Sequence, residues 1–356
     1  MEPLKNLYTK DYLLPFVTNM KNVYPNFPDQ QFYELIFTSD WEDLELKQRI
    51  RRIATAIGQT IHPYEKAIGY LREIAPKCEG FGYLFFPDFI EVYGQDNWKL
   101  SVQALKEFTP YSSSEFAVRP FIEKDQDTML ALMYEWAHDN DEHVRRLASE
   151  GARPRLPWAK PLHQLKKDPS PVLPILEDLK TDTSLYVRKS VANHLNDISK
   201  DHPQLVKKLA SQWYGQHKHT DWILKHGCRT LLKQSDPDIL ALFGFPPISG
   251  IQVISFDLQK NIKIGDKLSF TFTFHQPNLQ PTNLRIEYAI GYRKKNGKLY
   301  YKRFKLTEKT FAHGDHTYTR SHSFMNLSTR THYSGEHELI LYINGQNQTT
   351  THFQLF

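Results

Sequence analysis

A segment of about 43 residues recurs in the middle of the chain. Five positions of the first copy align with five of the second: Asp139, Val144, Arg145, Arg146 and Leu147 with Asp182, Val187, Arg188, Lys189 and Ser190. From Pro28 to about Leu242, apolar residues also recur at helical spacing. A repeat of roughly 40 residues is typical of HEAT-type helix pairs, each of which buries its apolar side against the next. We therefore predict an all-α HEAT-like helical-repeat solenoid with a concave face.

The periodicity changes from helical to alternating after the segment 243–250. Leu268–Phe274 alternates strictly between apolar and polar residues, and Asn296-Gly297 between Tyr292 and Leu299 indicates a hairpin turn. About seven short strands fit into residues 250–356, which is typical of an all-β immunoglobulin-like sandwich. The chain is therefore predicted to be an α + β multidomain protein, with helical repeats in residues 1–245 and the sandwich in residues 250–356.

Composition and spacing exclude several classes of site. The two cysteines, Cys78 and Cys228, belong to no paired pattern, and the 16 histidines show no metal-ligand spacing. Neither a metal nor an organic cofactor is expected, and no glycine-rich phosphate loop is present. The first 20 residues contain charges and no long apolar run, so we expect neither a signal peptide nor a membrane span, and a cytoplasmic location.

The distribution of charge is more informative than the net charge of +5. Residues 145–233 contain 17 basic and 8 acidic side chains, and residues 246–356 contain 14 basic and 7 acidic ones. Two basic regions on an otherwise neutral chain indicate a polyanion binder. A basic surface with no such partner is the alternative.

The most unusual segment is Glu142–Trp158, which combines four arginines, two glutamates and a tryptophan that follows a proline. In a helix, one stripe would face the neighbouring helix: Val144, Leu147, Ala148 and Gly151. A second stripe would lie on the other side: Arg146, Glu150 and Arg153. The alternative is that Glu142, Arg146 and Glu150 form ordinary surface ion pairs, worth a few tenths of a kcal/mol each.

Two further residues have a structural alternative beside a functional one. The prolines of Pro154–Trp158 fix a loop, and they either present the Trp158 indole to a ligand or pack it against the solenoid. Glu115 closes the sequence Ser112-Ser113-Ser114-Glu115, which also fits a capping box at a helix start.

These motifs resemble the HEAT-like alkylpurine DNA glycosylases of DNA alkylation repair, in particular the AlkC branch. The resemblance rests on Glu142–Trp158 within helical repeats, extends through Asn193–Asp197, and covers about residues 1–245. Some AlkC-type members carry an added immunoglobulin-like domain, which residues 250–356 resemble. The family hydrolyses the N-glycosidic bond of cationic N3-alkylated bases, chiefly 3-methyladenine and in AlkC-type members also 3-methylcytosine, in double-stranded DNA and without conventional base flipping.

The resemblance implies roles for individual residues. The catalytic set would be Glu150, nearest the deoxyribose, with Glu115, Asp197 and the aromatic Trp158. Arg146 and Arg153 would hold the DNA backbone. The excess of positive charge adds further DNA-binding candidates: Lys160, Lys166, Lys167, Arg188, Lys189, Lys225, Arg293, Lys294 and Lys295. The expected partner is double-stranded DNA containing alkylated bases, bound by a monomer that associates with the nucleoid.

Two other functions remain open from the sequence. One is a non-catalytic HEAT-repeat scaffold that binds DNA or a protein partner, since fold alone does not determine function. The other is a carbohydrate or cell-surface role for the sandwich. Carboxylates beside arginines and Trp158 on one face would favour the glycosylase, because a scaffold does not require them. In the AlkD branch an aspartate flanked by tryptophans does this work, and no such arrangement is evident around Trp136, Trp213 or Trp222.

Overall fold

The computed structural model describes residues 2–326 and 331–356. The chain divides into two compact units, Met1–His202 with Gly215–Gly227 and Pro203–Tyr214 with Cys228–Phe356. Helices precede a C-terminal β-region, which confirms the predicted fold class. The chain crosses between the units three times, and the predicted domain boundary at residues 245–250 stays a prediction.

The first unit is helical. Its α-helices are α1 (Lys10–Val23), α2 (Asp29–Ile36), α3 (Leu46–Thr60), α4 (Tyr64–Ile74), α5 (Phe85–Tyr93), α6 (Trp98–Phe108), α7 (Arg119–Lys124), α8 (Gln126–Trp136), α9 (Glu142–Glu150), α10 (His163–Lys167), α11 (Leu173–Leu179), α12 (Leu185–Asp201) and α14 (Lys218–Gly227). The second unit begins with α13 (Pro203–Trp213), α15 (Arg229–Lys233) and α16 (Pro237–Leu242).

The predicted sequence repeat has a matching hydrogen-bond pattern in the turns before α9 and α12. The carboxylate of Asp139 accepts a bond from the amide two residues later at 2.9 Å, and Asp182 does the same at 2.7 Å. Arg145 donates to the carbonyls five and six residues before it, and Arg188 repeats this geometry. The repeated residues therefore build the turn that starts the second helix of each pair.

Consecutive repeats are joined by an ion pair at the same place. Lys106 of α6 contacts Asp139 at 2.7 Å, and Arg145 of α9 contacts Asp182 at 2.7 Å. Each turn aspartate thus orders its own turn and receives a cation from the preceding helix pair. We call this arrangement the aspartate ladder.

Helix α9 packs as its apolar stripe predicts. Val144, Leu147 and Ala148 are buried, and the helix packs against α8, α11 and α12. At the end of the helix, a Cβ on Gly151 would lie 2.6 Å from the Val118 side chain. Only glycine allows this approach, which brings the end of α9 against the segment that precedes α7.

The second unit contains a two-sheet sandwich. Its strands are β1 (Gln252–Leu258), β2 (Asn261–Ile262), β3 (Lys267–Gln276), β4 (Thr282–Arg293), β5 (Leu299–Phe311), β6 (Gly314–Ser323), β7 (Gly335–Ile343) and β8 (Gln346–Leu355). One sheet has the order β1-β3-β6 and the other β2-β8-β7-β4-β5. The pairings are antiparallel except β2 with β8. The described residues thus contain one strand more than the seven predicted.

Alternating residues of both sheets form the sandwich core. Phe270, Phe272 and Phe274 of β3 are buried in one cluster with residues of β4 and β7, such as Tyr288 and Leu341. The predicted hairpin is confirmed, because β4 ends at Arg293, β5 begins at Leu299 and Gly297 has a φ of 79° in the turn. Hydrophobic burial between the sheets therefore takes the place of an inter-sheet disulfide.

Candidate active site

Glu150, Arg153 and Asp197 form a buried, hydrogen-bonded row. Arg153 Nη1 donates to Glu150 Oε1 at 2.6 Å, and Arg153 Nε donates to Asp197 Oδ2 at 2.9 Å. Lys200 adds a second cation to Asp197 at 3.0 Å. The side chains of Glu150 and Asp197 are 7% and 2% exposed. A buried carboxylate is tolerated only with such a partner, so Arg153 fixes both acids in position.

Arg146 connects a third carboxylate to this row. Its guanidinium contacts Glu115, donates to Ser113 Oγ at 2.9 Å and lies 3.5 Å from Glu150 Oε1. The Ser113 hydroxyl in turn donates to Glu115 at 2.7 Å. The centre of the Tyr186 ring lies 4.8 Å from the Arg146 guanidinium, which adds a cation–π contact. Glu115, Glu150 and Asp197 are thus joined through Arg146 and Arg153, and we call these five residues the acidic cluster.

The structural alternatives for Glu115 and Arg146 do not match the observed geometry. Helix α7 begins at Arg119 and its N-cap makes no side-chain hydrogen bond, so Glu115 lies in a turn and forms no capping box. The side chain of Arg146 is only 13% exposed and contacts residues from two segments. Glu142 is the other member of the proposed surface pairs. Its carboxylate instead accepts a hydrogen bond from the hydroxyl of Ser184.

A single buried arginine, Arg119, organises the loop after α9. It donates to the carbonyls of Gly151 and Arg153 at 2.9 Å each and to that of Lys160 at 2.6 Å. Burial lowers the pKa of Arg119 to about 10, which still leaves it charged at neutral pH. Trp158 lies in this loop with a φ of 64°, and 61% of it is exposed. The indole is therefore presented at the surface rather than packed into the solenoid.

Behind the acidic cluster, the side chain of His194 is fully buried. Its Nδ1 bonds the carbonyl of Ser149 at 3.0 Å, which ties α12 to the residue before Glu150. Burial, together with the nearby charges of Arg153 and Arg119, lowers the pKa of His194 to about 3. The imidazole is therefore neutral at physiological pH, and its hydrogen bond connects α12 to α9.

Sequence comparisons identify the family. Residues 109–231 match the family described as "DNA alkylation repair enzyme", and residues 252–356 match the C-terminal Ig-like domain described for the uncharacterised protein YhaZ. Uncharacterized protein YhaZ of Bacillus subtilis (strain 168) is 47% identical, with 100% of both chains covered. The solved structure of Pseudomonas fluorescens alkylpurine DNA glycosylase AlkC, bound to DNA containing an abasic site analog, is 36% identical with a TM-score of 0.96 over 100% of both chains. The chain belongs to the AlkC branch of the alkylpurine DNA glycosylase family.

The acidic cluster of this AlkC-family chain lies entirely within the matched residues 109–231. Three of the other predicted DNA-binding residues, Lys160, Lys167 and Lys189, are exposed and make no ion pair within residues 2–326 and 331–356, whereas Lys166 is half-buried. Lys225 is exposed on α14. Arg188 instead donates to the carbonyls of residues 182 and 183, so its guanidinium builds the repeat turn.

Of the three hairpin residues predicted to bind DNA, one is packed and two are exposed. Arg293 is half-buried, and a Cβ on Gly335 would lie 2.9 Å from its Cδ. Lys294 and Lys295 are exposed, and the Lys294 ammonium lies 5.0 Å from the centre of the Tyr300 ring. Lys294 and Lys295 are therefore the members of this group that are accessible to a ligand.

Several residues of the site were not identified from the sequence. Arg119 and His194 act through backbone carbonyls, and no local pattern marks them. Tyr186 had a signal in the sequence, because the repeat offset of 43 aligns it with His143. In the structure, the centres of these two rings lie 5.4 Å apart. Among the described residues, no group of three metal-binding side chains occurs. No helix in that part of the chain is long and apolar enough to span a membrane.

Proposed function

We propose that this protein is a DNA glycosylase of base excision repair that hydrolyses the N-glycosidic bond of cationic N3-alkylated bases in double-stranded DNA. The expected substrates are 3-methyladenine and 3-methylcytosine. The observation that carries the proposal is the acidic cluster, in which the buried Arg153 and the half-buried Arg146 hold three carboxylates, with Glu150 directly before the loop that contains Trp158. A helical scaffold has no need for buried carboxylates held in this way.

The chemistry of a cationic lesion suits these residues. Alkylation at N3 makes the base a good leaving group, so the reaction needs little general-acid help. It needs stabilisation of the positive charge that develops on the sugar, and a positioned water. Fixed carboxylates supply both, and in a site with little solvent their electrostatic effect is larger than in water. Glu150 is the proposed carboxylate nearest the deoxyribose, with Glu115 and Asp197 orienting water or stabilising charge.

Trp158 is the proposed recognition residue for the charged base. A cation over an indole face gains about 0.5–2 kcal/mol, depending on how far it is desolvated. The ring is exposed at the surface of a loop, so it offers a face to a base that remains in the duplex. This supports cleavage without conventional base flipping.

Contacts to the DNA backbone are proposed for the exposed lysines. The AlkC structure with DNA supports DNA as the ligand, and lysines without ion pairs are free to replace phosphate counterions. We assign this role to Lys160, Lys167, Lys189, Lys294 and Lys295. Arg146 and Arg153 were predicted to hold the backbone. Since Arg153 is bonded to two buried acids, we propose that it positions the carboxylates, and that Arg146 reaches a phosphate only when DNA draws it from Glu115.

The test is release of methylated bases from DNA treated with a methylating agent, with the freed bases identified by chromatography and mass spectrometry. Wild-type protein should release 3-methyladenine, and Glu150→Gln should reduce the rate by about 100-fold or more with DNA binding retained. Glu142→Gln is the matched control, because Glu142 lies at the exposed start of the same helix. DNA binding with no base release by the wild-type protein would favour the non-catalytic scaffold.

A further inference from the structure

The N-terminal repeats form a hydrogen bond with the Trp158 loop. Lys47, in the first turn of α3, donates from Nζ to the backbone carbonyl of Trp158 at 2.9 Å. It lies outside residues 109–231, which the family of DNA alkylation repair enzymes matches. The hydrogen bond joins segments 111 residues apart in sequence.

The backbone of Trp158 needs such a restraint. A tryptophan with a φ of 64° is in the left-handed region, which costs a residue with a Cβ roughly 1–2 kcal/mol. Strained residues of this kind persist only where their surroundings hold them. The Trp158 side chain is mostly exposed, so packing of the indole supplies little of that restraint. The bond from Lys47 to its carbonyl directly fixes the peptide group that follows the strained φ.

Lys47 also contacts the segment that carries Glu115. Its ammonium lies 4.5 Å from the centre of the Phe116 ring, and Phe116 is the neighbour of Glu115 in the chain. Lys47, Phe116 and Trp158 line one apolar cleft together with Ser113, the partner of Arg146 and Glu115. One ammonium group thus contacts both the aromatic loop and the turn beside the acidic cluster.

We propose that Lys47 is a positioning residue for base release, which acts by holding Trp158 in the orientation that faces the cationic base. The inference rests on the proposed glycosylase function. Its role differs from that of the DNA-binding lysines, because its ammonium is directed to a protein carbonyl and an aromatic ring. Without the ammonium, Trp158 relaxes from the left-handed region and no longer holds its cation–π contact with the lesion.

The activity test uses Lys47→Met, which keeps most of the stem and removes the charge. We expect single-turnover release of 3-methyladenine to fall about 2- to 30-fold, the range expected when one cation–π interaction is removed. Lys47→Arg should restore most of the rate, and Lys66→Met, at an exposed site on α4, should leave it unchanged. In a double-mutant cycle with Trp158→Leu, the effect of Lys47→Met should largely disappear, because both changes remove the same interaction.

A fluorescence measurement tests the geometry without catalysis. The emission of Trp158 is obtained as the difference between chains with and without Trp158→Phe, measured once in the wild-type background and once in the Lys47→Met background. We expect Lys47→Met to lower the anisotropy of that difference emission, because the indole gains freedom of motion when its backbone is released. Unchanged anisotropy would overturn the proposal, as would fully additive effects in the cycle.

Two other outcomes separate this proposal from its alternatives. A change confined to DNA affinity, with the salt dependence reduced by about one ion, would overturn the positioning role and make Lys47 a phosphate-binding residue. Absence of base release by the wild type would refute the glycosylase function, while the anisotropy would still decide whether Lys47 holds Trp158.

Discussion

Replacement of Arg153 by methionine is expected to be strongly destabilising, because it leaves two buried carboxylates without their shared partner. Arg153, Glu150 and Asp197 have side chains at most 7% exposed, so water cannot replace the missing bonds. Burial opposes the charge on Arg153, but the two acids and their hydrogen bonds outweigh it and raise the pKa of Arg153 above its ordinary value. The arginine is therefore charged at every accessible pH.

The magnitude follows from the burial. Removal of one partner from a buried ion pair costs about 3–5 kcal/mol, whereas a solvent-exposed pair is worth about 0–1 kcal/mol. The chain offers an exposed pair of the same kind two residues later. Arg155 contacts Asp201 at 2.6 and 2.9 Å, but its side chain is 35% exposed. In a unit of this size, we expect Arg153→Met to lower Tm by about 6–20 °C and Arg155→Met by about 4 °C or less.

The assay is thermal unfolding followed by circular dichroism, with base release measured on the folded variants. If the cost comes from the two carboxylates that lose Arg153, combining Arg153→Met with Glu150→Gln and Asp197→Asn should recover part of the missing stability, although activity would remain absent. Equal shifts in Tm for Arg153→Met and Arg155→Met would refute the reasoning. So would a triple variant that is less stable than Arg153→Met alone.

Three further predictions concern His194, Trp158 and the basic hairpin. Because burial lowers the pKa of His194 to about 3, the unfolded chain binds the extra proton as the pH falls below 6.5. The wild type should therefore lose about 2 kcal/mol between pH 6.5 and 5 relative to His194→Gln, measured by urea unfolding; parallel pH profiles would contradict this. Trp158→Leu should reduce 3-methyladenine release about 2- to 30-fold without a comparable change in Tm, and an unchanged rate would remove Trp158 from the site. Replacing Lys294 and Lys295 by glutamine should reduce the salt dependence of DNA affinity by about one ion for each phosphate that is no longer bound, whereas an unchanged slope would show that these two lysines do not bind phosphate.

The fold could largely be predicted because it depends on periodic patterns. The offset between Asp139 and Asp182 marked the helix pairs, and the alternation of Leu268–Phe274 marked the sandwich. The chain crossings between the two units could not be predicted, because α13 and α14 have the same helical pattern although they belong to different units. Periodicity shows which side of a helix is buried, but not which neighbour buries it.

The candidate site was predictable in its residue types and less so in its connections. The stripe of Arg146, Glu150 and Arg153 was expected on the face of α9 opposite the core, yet Glu150 and Arg153 are buried. Their burial depends on Asp197, a residue 44 positions beyond Arg153. For Arg188, the sequence showed the repeat relationship but not the contacts of the side chain. Its repeat equivalence with Arg145 was visible, but only the observed bonds show that both arginines build turns.

The aspartate ladder has a consequence for how such a chain can lengthen. Each helix pair supplies the cation that the next pair requires, as Lys106 does for Asp139 and Arg145 does for Asp182. A duplicated helix pair would therefore carry both an aspartate and a cation for this ion pair. It would fit between existing copies without new surfaces having to evolve. Insertion of half a pair would separate a cation from its aspartate. The aspartate ladder thus favours growth by whole helix pairs, independently of what the protein binds.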